Sequence, residues 1–303
     1  MDTKDADILK FLEEYKASES LNIFMTLREE CQINFDPPIV LEHQILIGDG
    51  KKSSLQDLEM LIKDGALKKL KIPQIDILTN MTTYGYVLTS DIIRVTHSKL
   101  IHIVRDDESC TGIKVCLDKD SCAMGKLDII FIPELINWIK NKVFPIFTGF
   151  KISNTDMMNC LNKFLATFNI DKGNLQLCKE HIRLLNTDKL LTYLMRSGIL
   201  RRDEELPSKF LAFSIPIMGG FIQQLESGNK AIITALKRFK YNETTFDKLE
   251  CINLGKSNFT LDFHLRDLQG RGILKKELQS GSVFVYKLSN KLSTFSRKRY
   301  RFN

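Results

Sequence analysis

Leu191-Thr192-Tyr193-Leu194-Met195-Arg196-Ser197-Gly198-Ile199-Leu200-Arg201-Arg202 is the stretch on which the reading of this chain turns, because its pattern occurs twice more. Leu58, Leu61 and Gly65 precede Leu67, Lys68 and Lys69, and Leu265, Leu268 and Gly272 precede Leu274, Lys275 and Lys276. Leucines three apart lie on one face of a helix. The glycine four residues later can take the left-handed conformation that ends it. Each copy then runs into a short strand carrying two cations.

A helix stopped by glycine and followed by a basic strand has the form of the recognition helix and wing of a winged-helix domain. Three copies predict an α+β, mainly helical protein of three tandem winged-helix domains. The expected division is an acidic helical lead-in over 1–34, winged helix 1 with a hairpin insertion over 35–128, winged helix 2 with extra helices over 129–220, a basic winged helix 3 over 221–290, and a basic tail over 291–303.

Within this frame, Leu9, Leu12, Ile23, Phe24 and Leu27 give the lead-in a helical stripe. Asp36-Pro37-Pro38 is expected to open a helix through Ile39, Leu41 and Ile45, ending at Gly48-Asp49-Gly50. Ser53 and Gln56 form a capping-box pair for a helix over 55–64. The strand from Leu67 to Ile72 should pair with Tyr84 to Leu88 across a loop holding Thr79, Asn80 and Thr82. Residues 99–126 read as strand-like and cysteine-bearing. Helical periodicity follows through Leu135 to Phe147 and Met157 to Phe168, then a turn at Gly173-Asn174, a short helix over 175–182 and a break at Asn186. The second hairpin is expected over 199–203 and 210–215. The third unit reads as a helix over 227–241, the stretch 244–250, a helix over 260–271, and a hairpin of 273–278 and 283–288 turned by Ser280-Gly281-Ser282.

Composition narrows the class. The net charge is +7 over 303 residues, yet residues 228–303 alone carry 16 Lys or Arg against 6 Asp or Glu. The rest of the chain is therefore slightly acidic, and a polyanion should dock on the C-terminal third. Seven cysteines, an odd number without a CxxC pair, argue against a disulfide framework and for a reducing compartment. The start, Met1 to Glu14, is rich in Asp, Glu and Lys and does not read as a signal peptide. The most apolar stretch, Leu127 to Phe150, is broken by Asp128, Pro133, Glu134, Lys140, Lys142 and Pro145, so no membrane partner is expected.

The candidate DNA-binding residues are Lys237, Arg238 and Lys240, at the end of a predicted helix, with Lys230, Lys256, Arg266, Arg271, Lys275 and Lys276 in the same domain. A cluster that neutralises several phosphates gains affinity by counterion release. Cations at a helix C-terminus also have a local reason to be there, the helix dipole. Arg201 and Arg202 are followed by Asp203, Glu204 and Glu205, which can neutralise them, so the second domain reads as a protein-contact module. Tyr193 and Phe210 read as core.

Pro37-Pro38-Ile39-Val40-Leu41, the helix and strand start over 58–67, Arg196-Ser197-Gly198-Ile199-Leu200, Lys237-Arg238-Phe239-Lys240-Tyr241, Asp267-Leu268 and Gly270 carry a resemblance to the serine/threonine-protein kinase 19 family over about residues 35–290. The resemblance implies three tandem winged helices that bind double-stranded DNA in the nucleus. It also implies a role in transcription-coupled nucleotide excision repair, beside a stalled RNA polymerase II complex and TFIIH. The chain departs from the family in the stretch 99–126, the stretch 151–171 and a short N-terminus.

No enzyme is expected, despite the family name. A kinase needs a Gly-rich loop, a strand Lys, an HRD loop and a DFG motif, and the sequence has none. Gly48-Asp49-Gly50-Lys51-Lys52-Ser53 lacks the ending of a phosphate loop, and Gly255-Lys256-Ser257 has Glu250 where a Walker motif requires Gly. Cys110, Cys116 and Cys122, near His97 and His102, lack the close pairs of a structural zinc site, so no metal or cofactor is expected. The competing readings are a winged-helix scaffold that binds only proteins and an atypical kinase.

Overall fold

The computed structural model describes residues 19–49, 55–73, 82–105, 131–171, 186–279 and 283–289. Three three-stranded sheets lie along the chain, each with its first strand beside its third and the third beside the second. The protein is α+β.

The first set comprises α1 (Glu19–Gln32), β1 (Val40–Leu41), α2 (Glu42–Asp49), α3 (Leu55–Lys63), β2 (Leu67–Ile72) and β3 (Thr83–Leu88). After α4 (Thr89–Arg105) the second follows: α5 (Ile132–Trp138), continued as a π-helical turn over Ile139–Val143, then β4 (Lys151–Ser153), α6 (Asn154–Asp171), α7 (Thr187–Ser197), β5 (Leu200–Arg202) and β6 (Phe210–Phe213). The third is α8 (Met218–Leu236), β7 (Glu243–Thr245), α9 (Phe246–Glu250), α10 (Leu261–Gly270), β8 (Leu274–Gln279) and β9 (Val283–Leu288). Along the chain, three helices and a hairpin thus accompany each repeated glycine, as the triple pattern predicts.

The glycines act as expected. Gly65, Gly198 and Gly272 have φ of 75°, 87° and 68°. In each the N–H donates to the carbonyl three residues back, Ile62, Met195 and Gln269. Entry to the repeat helices is also fixed locally: Asn186 Oδ1 accepts from the Lys189 N–H at 2.8 Å, and Thr260 Oγ1 from the Phe263 N–H at 3.2 Å.

The strand opening each sheet is the element the sequence reading missed. Pro37-Pro38 leads into β1 rather than a helix, and α2 begins at Glu42 and runs through Gly48 and Asp49. The stretch 151–171 is no added helix: β4 and α6 are the second set's counterparts of β1 with α2 and of β7 with α9. Two- and three-residue strands are too short for alternation to register.

Two helical limits also differ. Residues 99–105 finish α4, although Ile101-His102-Ile103-Val104 alternates like a strand; Ile92, Thr96 and Leu100 recur every four residues and are buried. The long third-set helix starts at Met218, nine residues early, and stops at Leu236. Its stripe is Phe221, Leu225, Ile232 and Leu236, all buried, which ends before the cations begin. The remaining segments of these expectations, 1–18, Ser53, Thr79 and Asn80, 106–126, 173–182, Ser280-Gly281-Ser282 and the tail, lie outside the described residues.

By contacts the chain divides into two compact units. One comprises Met1–Leu61, Ile72–Gly85 and Phe221–Asn303, the other Ile62–Lys71 and Tyr86–Gly220. In the first unit Phe35 meets Phe221 and Phe259 at 5.3 and 5.9 Å between ring centroids, and Phe259 stacks on Phe263 at 4.4 Å. Residues from both ends of the sequence therefore share one aromatic core. In the second, α4 packs on α5 and α7, and Phe131 meets Phe164 and Phe168 edge to face. Among the described residues no helix is long and apolar enough to cross a membrane.

Candidate nucleic-acid interface

In the first unit, the repeat helix of the third set, expected from its sequence to read a groove, is largely enclosed. Five of the ten residues of α10 are buried: Phe263, His264, Leu265, Asp267 and Leu268. Helix α2 lies against it, with Gln44 Nε2 donating to the Phe263 carbonyl at 3.1 Å. His43, also on α2, rests on Gly270, where a Cβ would come within 2.4 Å of its ring.

Beneath this contact runs a polar network centred on Asp267, which is fully buried. Its Oδ1 accepts from His43 Nε2 at 2.6 Å and Arg271 Nε at 3.0 Å, and its Oδ2 accepts from Asn229 Nδ2 at 2.6 Å. Because Asn229 donates there with its amide, its Oδ1 accepts from His264 Nδ1 at 2.9 Å. That fixes the tautomer, so the Ser257 hydroxyl donates to His264 Nε2 at 2.8 Å. Gly228 makes room for this ring on α8: a Cβ there would stand 2.1 Å from Nε2.

Burial alone would raise Asp267. Arg271 and the hydrogen bonds from His43 and Asn229 outweigh it and hold the carboxyl below its ordinary range. His264 is pushed down to about 4, first by burial and then by Arg271, against the pull of Asp267. The network is thus a neutral imidazole beside a paired carboxylate, an internal fastening.

The predicted site residues separate accordingly. Arg271 is buried in the network. Arg266 is clamped by Glu30 at 2.9 Å and Asp262 at 3.3 Å, beside a groove of about 540 Å³ between α1, α2, α10 and the last hairpin. Neither presents a free cation, a point that residue counting cannot detect.

Lys230, Lys237, Arg238, Lys240, Lys256 and Lys275 are exposed, and among the described residues no acidic group forms an ion pair with any of them. Lys230 and Arg238 line a shallow groove of about 550 Å³ with Ser227, Thr234, Ile252 and Asn253. Lys237 and Arg238 follow the last residue of α8, and Lys240 starts a 3-10 turn, Lys240–Asn242. Lys256 is set in place by Ser227 Oγ, which accepts its backbone N–H at 2.8 Å while donating to the Leu254 carbonyl at 3.3 Å. The loop at Gly255-Lys256-Ser257 is therefore closed by the protein's own groups.

On the hairpin, Lys275 pairs in register with Lys287 and Lys276 with Tyr286, so the two lysines face opposite sides. Lys276 Nζ lies 4.3 Å from the Phe284 ring centroid. What remains is an exposed set of cations at the end of α8, on the α9–α10 loop and on the hairpin, able to meet phosphates but not base edges through α10.

The same basic pairs elsewhere have other fates. In the second unit Lys68 is 1% exposed, with its Nζ donating to the Phe147 carbonyl and 4.0 Å from the Phe213 ring centroid. Burial pushes it down to about 7. Arg201 pairs with Glu204 at 3.3 Å, as the acidic run after Arg202 suggests, but Glu205 answers Lys71 at 2.8 Å, Asp203 accepts the Glu205 and Leu206 N–H groups, and among the described residues no acid pairs with the exposed Arg202. Tyr193 is core, and Phe210 packs under Lys151. His97 and His102 lie on α4, while Cys110, Cys116 and Cys122 lie outside the described residues.

Comparison with curated proteins gives a distant relative. The chain is 21% identical over 250 residues to winged helix repair factor 1 of Dictyostelium discoideum, a match covering 80% of this chain and 56% of that protein. The chain thus spans a little over half of the relative's length. No family model matches it.

Proposed function

We propose that this chain is a non-enzymatic repair factor of three tandem winged-helix domains, which holds double-stranded DNA through the exposed cations of its third domain. The observation that carries the reading is the joint one: the same helix, strand, helix, helix, hairpin order three times, with six exposed cations on the last copy that pair with no acid among the described residues. The name of the Dictyostelium relative supports both the fold name and the connection to repair.

Each domain is one of the three sets, so the first begins at α1 (Glu19–Gln32) rather than at 35 and the third at α8 (Met218–Leu236) rather than at 221, with α4 packing in the second. The resemblance to the serine/threonine-protein kinase 19 family extends the reading to transcription-coupled nucleotide excision repair in the nucleus. There the protein would bridge duplex DNA to a stalled RNA polymerase II complex and TFIIH. Phosphate contacts hold such a protein on DNA without selecting a site. Selection then falls to protein contacts on the more acidic first and second domains.

The placement of α10 favours a second reading. A recognition helix closed by α2 and by its own ion pairs is also what a scaffold that binds only proteins would contain. Equilibrium binding of the purified chain to a plain duplex separates the two: affinity falling steeply with salt is expected, and none at low salt would leave the scaffold. For the repair role, cells lacking the protein should remove lesions more slowly from transcribed strands alone. Equal repair of both strands would refute it.

A further inference from the structure

The segment Lys237-Arg238-Phe239-Lys240-Tyr241-Asn242 contains the one exposed aromatic among the described residues whose backbone is also forced. Tyr241 has φ 62° and ψ 13°, and Asn242 follows at φ 54°. Left-handed backbone suits Asn and Gly but disfavours a bulky side chain. The turn is closed by the Asn242 N–H donating to the Phe239 carbonyl at 3.1 Å, a bond any residue at 241 would permit.

Nothing in the fold accounts for an aromatic ring there. Tyr241 is 68% exposed, so its ring contributes little to packing. Glycine would make the same turn without strain. The ring is instead part of a cationic surface: Lys240 Nζ sits 5.0 Å from its centroid, and Lys237 and Arg238 precede it in the same turn. Exposed residues held in unfavourable conformations concentrate at binding sites. An aromatic ring interleaved with free cations is the composition of a surface that stacks unpaired bases while its neighbours track the phosphates.

We infer that Tyr241 is a stacking platform for an unpaired base, so that the third domain prefers a duplex flanked by single strand over a continuous duplex. The inference rests on the DNA-binding reading above and supplies a selectivity that phosphate contacts lack. Because α10 is closed, this selectivity concerns DNA structure and not base sequence.

The test uses the full chain, a blunt duplex and the same duplex carrying a single-stranded tail, both of mixed sequence. The unaltered protein should bind the tailed duplex more tightly. Tyr241→Ala should weaken tailed-duplex binding roughly fivefold or more and leave blunt-duplex binding unchanged, while Tyr241→Phe keeps the preference, since the ring is retained. Unchanged tailed-duplex binding in Tyr241→Ala, or an equal loss on both substrates, overturns the inference. Charge reversal at Lys237, Arg238 and Lys240 should weaken both substrates; no effect of that variant would instead overturn the DNA-binding reading itself.

Discussion

Helix α10 and the turn at 237–242 carry cations in the same third set of elements, and the structure uses them in opposite ways. On α10, Arg266 and the flanking Arg271 answer acidic groups of the protein, and the helix face is closed by α2. At the end of α8, Lys237, Arg238 and Lys240 answer no described acid and stand in solvent. A basic stretch therefore reports a binding surface only after its internal partners are subtracted.

The sharpest way to break the comparison is to remove Asp267. Asp267→Ala would leave Arg271 buried without its carboxylate and His43 and Asn229 without an acceptor. Removing one partner of a buried pair typically costs about 3–5 kcal/mol. Thermal unfolding should show a large fall in Tm, whereas triple reversal at 237, 238 and 240 should leave Tm nearly unchanged. A small effect of Asp267→Ala would show that α10 is not held as described.

Next in size is Lys68→Met, which replaces a buried amine by an apolar chain of similar length. Lys68 is depressed to about 7, so between that pH and its ordinary value the unfolded chain binds more protons than the folded one. Stability on its account rises as pH rises from about 7 towards 10. The variant should remove that rise and be more stable near neutral pH by roughly 2–4 kcal/mol. Chemical denaturation at pH 7 and 9.5 checks it: an unchanged pH dependence would place Lys68 in water.

Gly270→Ala is expected to be milder, roughly 1–3 kcal/mol, because the added methyl displaces the His43 ring from α10. The same network has an acid limit. His264, depressed to about 4, favours the fold above about 6.5, and that contribution is lost as pH falls from there towards 4. His264→Gln should flatten the stability profile over this window in denaturation curves, at the expense of stability at pH 7.

Much of the fold was legible in residues 58–69, 191–202 and 265–276, since a leucine stripe, a helix-ending glycine and a following strand are all encoded within twelve residues. The opening strands were not, because two or three residues paired to a distant hairpin leave no local period. The site was legible as a charge excess and illegible as a surface. Lys230, Lys237 and Lys256 differ from Arg266 and Arg271 only through Glu30, Asp262 and Asp267, and Glu30 lies more than two hundred positions from Arg266. Tyr241 carried no signal beyond standing among cations; the role inferred for it depends on a φ that sequence does not display.

The most direct test of the central claim is the salt dependence of duplex binding by the unaltered chain and by the variant with Lys237, Arg238 and Lys240 reversed to Glu. Each neutralised phosphate contributes about 0.9 to the slope of log K against log salt. The variant should lose at least tenfold in affinity at low salt and show a slope shallower by roughly 2–3, with unchanged Tm. Equal affinity and an equal slope in the folded variant would contradict it.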